Sequence, residues 1–136
     1  MSGATKWGGE FLINTTTVND QEYPLIKGLA DGRFVAMWTD ESHTSGDLSW
    51  DDVRGQLFNA DGSKAGAEFL VNTTTSGFQN DVDVTALPDG RFAAVWTDMS
   101  KTGGDQSAGA VRMQLFNPDG SKSGAELLVN TATDNY

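Results

Sequence analysis

The chain has 136 residues, the length of a single domain, and carries nine Lys and Arg against nineteen Asp and Glu, a formal net charge of −10. An acidic surface of this kind repels phosphate backbones and anionic bilayers, so nucleic acid and membranes are excluded as expected partners. The sequence contains no cysteine, which excludes disulfides, a thiolate zinc site and a cysteine nucleophile.

A repeat with a period of 58 residues organises the chain. Residues 8–17 return almost unchanged at 66–75, and the same motif begins a third time at Gly124. Matched residues keep the same spacing throughout, so no insertion interrupts the pattern. We therefore treat residues 1–136 as a single repeat domain. It divides into repeat 1 (8–65), repeat 2 (66–123) and a partial third repeat (124–136).

Each repeat contains four short segments in which apolar and polar side chains alternate, the pattern of β-strands. In repeat 1 these segments lie at residues 10–14, 23–29, 33–40 and 53–59. Asp31-Gly32, between the second and third segments, is a strong hairpin signal, and residues 61–64 predict a similar turn after the fourth. Helical periodicity is absent over any useful length, so the sequence predicts an antiparallel all-β fold.

The third predicted strand is apolar on both of its faces. Phe34, Ala36 and Trp38 share one face, and Val35 and Met37 share the other. A strand of this type is covered on both sides by other structure. Four-stranded sheets packed face to face around an axis are β-propeller blades, so the sequence predicts propeller blades, with a two-sheet sandwich as the main alternative.

The connections predict which strands share a sheet. The link at 15–22 lacks a tight-turn signature and is predicted to cross to the neighbouring sheet. Each sheet then takes its fourth strand from the following repeat, which predicts one blade at 23–72 and another at 81–130. The segment 10–14 remains as an extra outer strand whose own blade is absent.

Two blades do not close a ring, because propellers have about 4–8 blades. We expect closure by a homo-oligomer of about two to four chains, since a face built to meet a blade also meets the blade of another chain. The alternative is that the chain is part of a longer array. The extra strand at 10–14 is expected to act as a latch on a partner's blade, in competition with its copy at 126–130.

The repeat motif resembles a repeat of large secreted bacterial proteins. Gly-Ala-Glu-Phe-Leu-Val-Asn-Thr-Thr-Thr stands at 66–75, Asp-Gly-Arg-Phe at 89–92, Trp-Thr-Asp at 96–98 and Gln-Leu-Phe-Asn at 114–117. This pattern is similar to repeats of the calcium-binding, hemolysin-type (RTX-like) adhesins.

The resemblance implies β-propeller-like repeats, an extracellular or cell-surface location, and export without a cleaved N-terminal signal. The start of the sequence agrees with the last point, because Met1 is followed by polar and small residues with no apolar run. The glycine-rich calcium nonapeptide of the RTX arrays is not found in this sequence, so calcium binding by that motif is not implied.

The long loop after the third strand keeps its polar residues in both repeats. The candidate ligand-binding residues are Asp40, Ser42, Thr44 and Asp47, repeated as Asp98, Ser100, Thr102 and Asp105. Their oxygens are suited to calcium or to sugar hydroxyls. We predict Asp40, Asp47, Asp98 and Asp105 as metal ligands, with calcium as the candidate cofactor. The alternative is that these side chains brace the loop through hydrogen bonds to its backbone.

Trp50 completes the candidate site at the end of the first polar loop, where repeat 2 has Ala108. An exposed indole in this place is suited to stacking on a sugar ring, and packing at a seam between chains is the alternative. Trp7, near the N-terminus, is a candidate seam or latch residue.

No constellation in the sequence indicates catalysis. The chain has a single histidine, His43, no cysteine and no Ser–His pairing typical of nucleophilic enzymes. We therefore predict a non-catalytic, self-assembling β-propeller binding module that is a multivalent carbohydrate-binding (lectin-like) or adhesive protein. The alternative is a structural propeller repeat, or a fragment of a larger secreted adhesin, that has no small-molecule ligand.

Overall fold

The computed structural model describes residues 3–44 and 50–133, which form eight β-strands in two four-stranded antiparallel sheets. Sheet 1 contains β1 (Gln21–Gly28), β2 (Phe34–Asp40), β3 (Asp52–Phe58) and β4 (Phe69–Leu70). Sheet 2 contains β5 (Gln79–Ala86), β6 (Phe92–Asp98), β7 (Ala110–Phe116) and β8 (Leu127–Leu128). In each sheet the strands follow in chain order. Within the described ranges, no helix is long and apolar enough to cross a bilayer.

The all-β fold and the phase of the repeat agree with the prediction, because β4 joins sheet 1 and β8 joins sheet 2. The boundaries differ by one or two residues, since the first strand begins at Gln21 and not at Tyr23. The cause is a β-bulge in the first strand of each sheet. Tyr23 has a positive φ of 50° and its repeat-2 counterpart Asp81 one of 54°, so that the strand bends and continues.

The two hairpins at one end of each sheet depend on glycine. Gly32 in the predicted Asp-Gly turn has φ of 86°, a left-handed conformation that glycine adopts without steric cost. Asp31 Oδ1 accepts a hydrogen bond from the Arg33 backbone N–H and closes the turn. The same arrangement recurs at Asp89 and Arg91. The opposite end of each sheet carries the polar loop after its second strand and, in sheet 1, the link to sheet 2.

The two sheets pack face to face. We define the front face as the one that carries Phe34, Ala36 and Trp38 in sheet 1 and their counterparts in sheet 2, and the back face as the opposite one. The back of sheet 1 meets the front of sheet 2 in one core cluster. From sheet 1 it includes Leu29, Val35, Met37, Val53, Leu57 and Val71, and from sheet 2 Val82, Val84, Phe92, Ala94, Trp96 and Phe116. Sheet packing thus covers the back of β2 and the front of β6, one of the two faces that the sequence predicts to be covered on each of these strands.

The extra outer strand predicted at 10–14 is not a strand in the structure. Its side chains nevertheless lie on the front of sheet 1, where Phe11 contacts Phe58 with ring centroids 5.8 Å apart and Ile13 packs beside Trp38. The reason for the difference is the lack of a neighbour: a β-strand needs a second strand to pair with, and every strand of sheet 1 is paired with others.

Candidate functional site

In repeat 2, Ser100 and Thr102, two of the polar loop residues that both repeats share, lie beside one buried carboxylate, Asp98, at the end of β6. Oδ1 accepts hydrogen bonds from Gln79 Nε2 at 2.6 Å and from the Ser100 N–H at 2.8 Å. Oδ2 accepts from Ser100 Oγ and from Arg112 Nε, each at 2.9 Å. Burial by itself raises the pKa of Asp98, but these bonds outweigh it and hold the pKa below its usual value.

Asp40 has the same surroundings in repeat 1. Its Oδ2 accepts from Arg54 Nε at 2.5 Å and from Ser42 Oγ at 2.6 Å. Thr44 Oγ1 lies 2.8 Å from Ser42 Oγ and accepts from Arg54 Nη2 at 2.8 Å. The candidate residues of this loop are thus brought together, but around an arginine. These bonds brace the loop, as in the alternative given above, and the assignment of these residues to a ligand stays a prediction.

In repeat 2 the second candidate carboxylate, Asp105, has hydrogen-bond partners different from those of Asp98. Asp105 accepts hydrogen bonds from Ser107 and, at 2.6 Å, from Asn130 Nδ2, and these bonds lower its pKa. Asp47 lies outside the described residues. Thr102 is tied to the brace in a different way from Thr44, since its backbone carbonyl accepts from Arg112 Nη2 at 2.6 Å.

Calcium therefore remains a prediction for this loop. In the part of the chain that the structure describes, no three His, Cys, Asp or Glu side chains form a group that could hold a metal ion. The side chains of Asp40 and Asp98 each face a guanidinium, at Arg54 and Arg112 respectively. A cation bound at either carboxylate would experience the repulsion of that guanidinium at short range.

Sequence reasoning missed the residues that organise the brace. Arg54 and Arg112 occupy the same position in the two repeats, as do Gln21 and Gln79. Gln21 and Gln79 are identical although the rest of β1 and β5 diverges, and Arg54 and Arg112 are charged residues at matched positions within strands, which are the signals that could have found them. Trp96 Nε1 donates to Gln79 Oε1 at 2.9 Å, so the glutamine joins the core tryptophan to the carboxylate.

A second buried carboxylate beside each sheet fixes the threonine segment that leads into the first strand of that sheet. Glu68 accepts hydrogen bonds from the backbone N–H groups of Thr15 at 2.7 Å and Thr16 at 3.2 Å, and from Thr16 Oγ1 at 2.6 Å. Glu126 receives the equivalent bonds from Thr73 and Thr74. Burial raises the pKa of Glu68, yet the bonds from the two threonines outweigh burial and leave the pKa below its usual value. The Asn-Thr-Thr-Thr motif is thus a structural connector.

Trp50 lies against Phe78 at the loop end of the molecule. The two rings meet edge to face with centroids 4.7 Å apart, and the residues are 38% and 39% exposed. Asp51, the next residue, has its pKa raised by burial. The pair therefore presents a partly exposed aromatic surface beside a carboxylate, in the place where the sequence predicted a sugar-stacking indole. Trp7 is fully exposed.

The two outer faces of the sheet pair are only partly covered: on the front of sheet 1, Phe11 and Ile13 lie over Phe58 and Trp38, but Ile26 is 62% exposed. On the back of sheet 2, Val111 and Val129 are 42% and 48% exposed, whereas their counterparts Val53 and Val71 are fully buried on the back of sheet 1. On the front of sheet 1, a cavity of about 270 Å³ remains. It is lined by Phe11, Ile13, Asn14, Gln21, Pro24 and Trp38.

Comparisons with known proteins agree with the fold and add no activity. No family model matches the chain, and no curated protein matches it. Among solved structures, it is similar to an endo-arabinase from Bacteroides thetaiotaomicron VPI-5482, at 17% identity and a TM-score of 0.51. The match covers 79% of this chain and 42% of that protein, so the chain spans less than half of its length. At this identity the similarity shows the fold alone, an all-β arrangement of repeated blade-like sheets.

Proposed function

We propose that this chain is a non-catalytic, self-assembling β-propeller module whose copies stack head to tail, the back of sheet 2 on the front of sheet 1 of the next copy. A single observation carries the proposal. The two open faces are the same two surfaces that already meet inside the chain, because each repeat supplies one copy of each face.

The burial of matched residues supports this pairing. On the back faces, Val53 is buried by sheet 2 and Val111 is open. On the front faces, Val84 is buried against sheet 1, whereas Ile26, its counterpart, is 62% exposed. Each open residue would gain the surroundings of its buried counterpart. Apolar area removed from water in this way stabilises an interface by roughly 25 cal/mol per Å².

A hydrogen bond that joins sheets 1 and 2 within the chain would also form between stacked copies. Arg33 Nη2 donates to the Pro118 carbonyl at 2.6 Å and so joins the first turn of sheet 1 to the last turn of sheet 2. Arg91 is the counterpart of Arg33, and its side chain is more exposed. In a head-to-tail stack, Arg91 would donate to the carbonyl of Ala60 in the next copy.

A closed ring of about 4–8 blades would contain about two to four copies. A further repeat of a longer polypeptide is the other possible occupant of the open faces. The size of the 136-residue chain in solution distinguishes the two, because only self-assembly increases its mass.

Light scattering at micromolar concentration tests the assembly. We expect two to four chain masses for the natural sequence and a monomer for Val111→Asp, which places a charge on the open back face. Val18→Asp is the matched control, since Val18 is an exposed valine in the segment that leads into β1. A monomeric natural chain, or equal assembly in both variants, would contradict the proposal.

We further propose that the assembled module binds carbohydrate through Trp50 and Phe78. The partly exposed aromatic pair supports this proposal, because aromatic faces are suited to the apolar side of a sugar ring. Trp50 has no counterpart in repeat 2, so each copy contributes one such surface. Several weak sites on one ring then act together through avidity. An adhesive role at an extracellular surface would use the same multivalency, and a purely structural repeat is the alternative.

A glycan array with the natural chain and Trp50→Ala tests this binding. We expect binding that the substitution removes, with Val18→Asp, the control already used for assembly, as the control because Val18 is also exposed. The absence of binding by an oligomer of confirmed size would favour the structural alternative. The array should include arabinan, with released sugar measured alongside, because the similar solved structure is an endo-arabinase. Hydrolysis would contradict the non-catalytic proposal.

A further inference from the structure

Residues 11–16 hold the same position on sheet 1 that residues 69–74 hold on sheet 2. The Phe11 and Phe58 rings lie 5.8 Å apart, and the counterpart rings of Phe69 and Phe116 lie 5.4 Å apart, at nearly the same tilt. The threonines that follow each segment donate to Glu68 and Glu126 with backbone distances of 2.7 and 3.2 Å in both cases. Segment 10–14 is therefore already placed as the outer strand of a blade that precedes sheet 1.

The segment lacks the strand that its counterpart pairs with. In sheet 1, the Val71 N–H donates to the Val53 carbonyl at 2.8 Å, and Asn72 Nδ2 donates to Asp52 Oδ1 at 2.6 Å. These contacts hold β4 on the edge of β3. Among residues 3–44 and 50–133, no equivalent strand lies beside residues 10–14, and Leu12 is 65% exposed.

A buried indole shows the consequence of this missing strand. Asn14 Nδ2 donates to Gln21 Oε1 at 3.0 Å. In repeat 2 the equivalent glutamine oxygen, of Gln79, accepts from the Trp96 indole N–H instead. The indole N–H of Trp38 is buried, and it has no hydrogen-bond partner among the described residues. An unpartnered buried donor is costly, so the present arrangement of Asn14 is not the most stable one open to the chain.

We infer that residues 10–14 of one copy replace β8 as the outer strand of sheet 2 in the preceding copy of the head-to-tail stack. In sheet 2 the Val129 N–H donates to the Val111 carbonyl at 2.8 Å, and Asn130 Nδ2 donates to Asp105 Oδ2 at 2.6 Å. Ile13 and Asn14 of the next copy would make these two bonds. Gln21 would then be free to accept from Trp38, as its counterpart does in repeat 2. This inference rests on the proposed head-to-tail assembly.

Stacking forces a choice between the two segments. The outer strand of the preceding copy and residues 10–14 of the next copy would occupy the same place over Phe58, so only one can remain. Displacing β8 exposes little, because Leu127 and Val129 are already about half exposed. Retaining residues 10–14 keeps their contacts with Phe58 and makes the chain run continuously from one blade to the next, as it does between sheets 1 and 2.

Sheet 2, which would receive residues 10–14, fits the incoming phenylalanine less well at one position than sheet 1 fits Phe69. Phe69 lies opposite Gly55, and a Cβ on Gly55 would come within 2.8 Å of the Phe69 ring. In sheet 2 the counterpart of Gly55 is Met113, which Phe11 of the next copy would face. The flexible, unbranched methionine side chain can turn aside. This mismatch provides a test, because a glycine there would favour exchange and weaken the packing of Leu127 in the unexchanged sheet.

Cysteine pairs distinguish exchange from simple stacking, since the chain has no cysteine of its own. In antiparallel strands, directly opposed residues that are joined by backbone hydrogen bonds, as Val111 and Val129 are, have Cα atoms about 5.5 Å apart, a separation that a disulfide can span. Ile13→Cys with Val111→Cys is expected to give chain-to-chain disulfides on a non-reducing gel. A bridge within one chain is not available, because Ile13 and Val111 lie on opposite outer faces of the sheet pair.

The control is Val111→Cys with Val129→Cys, which locks β8 onto β7 in the same chain. We expect oxidation to prevent assembly and reduction to restore it. Met113→Gly is expected to strengthen assembly of the otherwise natural chain. An oligomer without chain-to-chain disulfides, unchanged assembly of the locked variant, or weaker assembly of Met113→Gly would overturn strand exchange while head-to-tail stacking stands. A monomeric natural chain would overturn both.

Discussion

The back faces of sheets 1 and 2 carry related side chains in entirely different surroundings. Val53 on β3 is fully buried because sheet 2 covers it, and Val111 on β7 is 42% exposed because no described part of the chain covers it. The front faces show the converse, since Ile26 on β1 is open and Val84 on β5 is covered. In a repeat protein the burial of a residue thus depends on what lies next to its repeat. The same substitution at two matched positions therefore shows the effect of that neighbour.

Aspartate substitutions at the two matched valines should give the largest difference. Val53→Asp buries an unpaired charge between the sheets, so we expect it to lower the free energy of unfolding by about 4 kcal/mol or more, enough to unfold a domain of this size. Val111→Asp places the same charge in contact with water and should leave the stability of the monomer within about 0.5 kcal/mol of the natural value. Denaturant unfolding measures both.

Assembly must be separated from folding in this comparison. The unfolding of Val111→Asp should therefore be compared with that of the natural chain diluted until light scattering gives the monomer mass. Equal losses in the two variants would mean that the back face of sheet 2 is covered in the monomer as well.

The next largest difference should be between replacing Asp98, at the loop end of sheet 2, and replacing Asp89, in the hairpin turn at its other end. Asp98→Ala removes the nearer of the two carboxylates beside the buried Arg112, the other being Glu126 at 3.8 Å, and breaking such a pair costs about 3 kcal/mol. Asp89→Ala removes an ion pair with Arg91 at the exposed turn, and such pairs contribute about 0–1 kcal/mol. Thermal unfolding of the two variants tests this order. A larger loss for Asp89→Ala would mean that the brace at the loop end contributes little.

Replacing Glu68 should change how stability varies with pH, and the effect should be smaller than those of the aspartate substitutions above. Its pKa in the folded protein lies below the usual value of 4.5, so the carboxylate stabilises the fold above that pH and the stabilisation is lost as pH falls through the lower folded pKa. Glu68→Gln should therefore be less stable by about 1 kcal/mol at neutral pH and should lose less stability on acidification. Glu10→Gln is the control, because Glu10 is the exposed counterpart in the first segment.

Unfolding curves at pH 7 and below pH 4.5 measure the effect of Glu68. The same acid sensitivity in Glu68→Gln and in the natural chain would assign the loss of stability to other carboxylates, such as Asp98.

Salt should have the smallest effect, and it should act only between copies. With a net charge of −10, stacked copies repel each other, and the screening length falls from about 30 Å at 0.01 M salt to about 8 Å at 0.15 M. We expect the mass measured by light scattering to rise with salt while the stability of the monomer changes little. Assembly that weakens with salt would indicate that charge pairs, and not apolar faces, join the copies.

Much of the fold could be predicted from the sequence, because its signals are local. Alternation of apolar residues around Trp38 predicted a strand covered on both faces, and Asp31-Gly32 predicted a hairpin. The absence of a turn signature at 15–22 predicted the correct grouping of strands into sheets. The candidate site was predicted less well, because the identity of Asp40 and Asp98 does not show whether a carboxylate faces a ligand or an arginine.

The sequence by itself determined the period, the strands, the turns and the phase of the sheets, since each of these follows from side-chain alternation and backbone preference over a few residues. Only the tertiary structure decided that Arg54 and Arg112 neutralise the two aspartates, because those partners lie 14 residues away on the next strand. It likewise decided that residues 10–14 are placed as an outer strand without forming one. Strand formation requires a second backbone at hydrogen-bonding distance, and that depends on what lies beside a segment and not on its own residues.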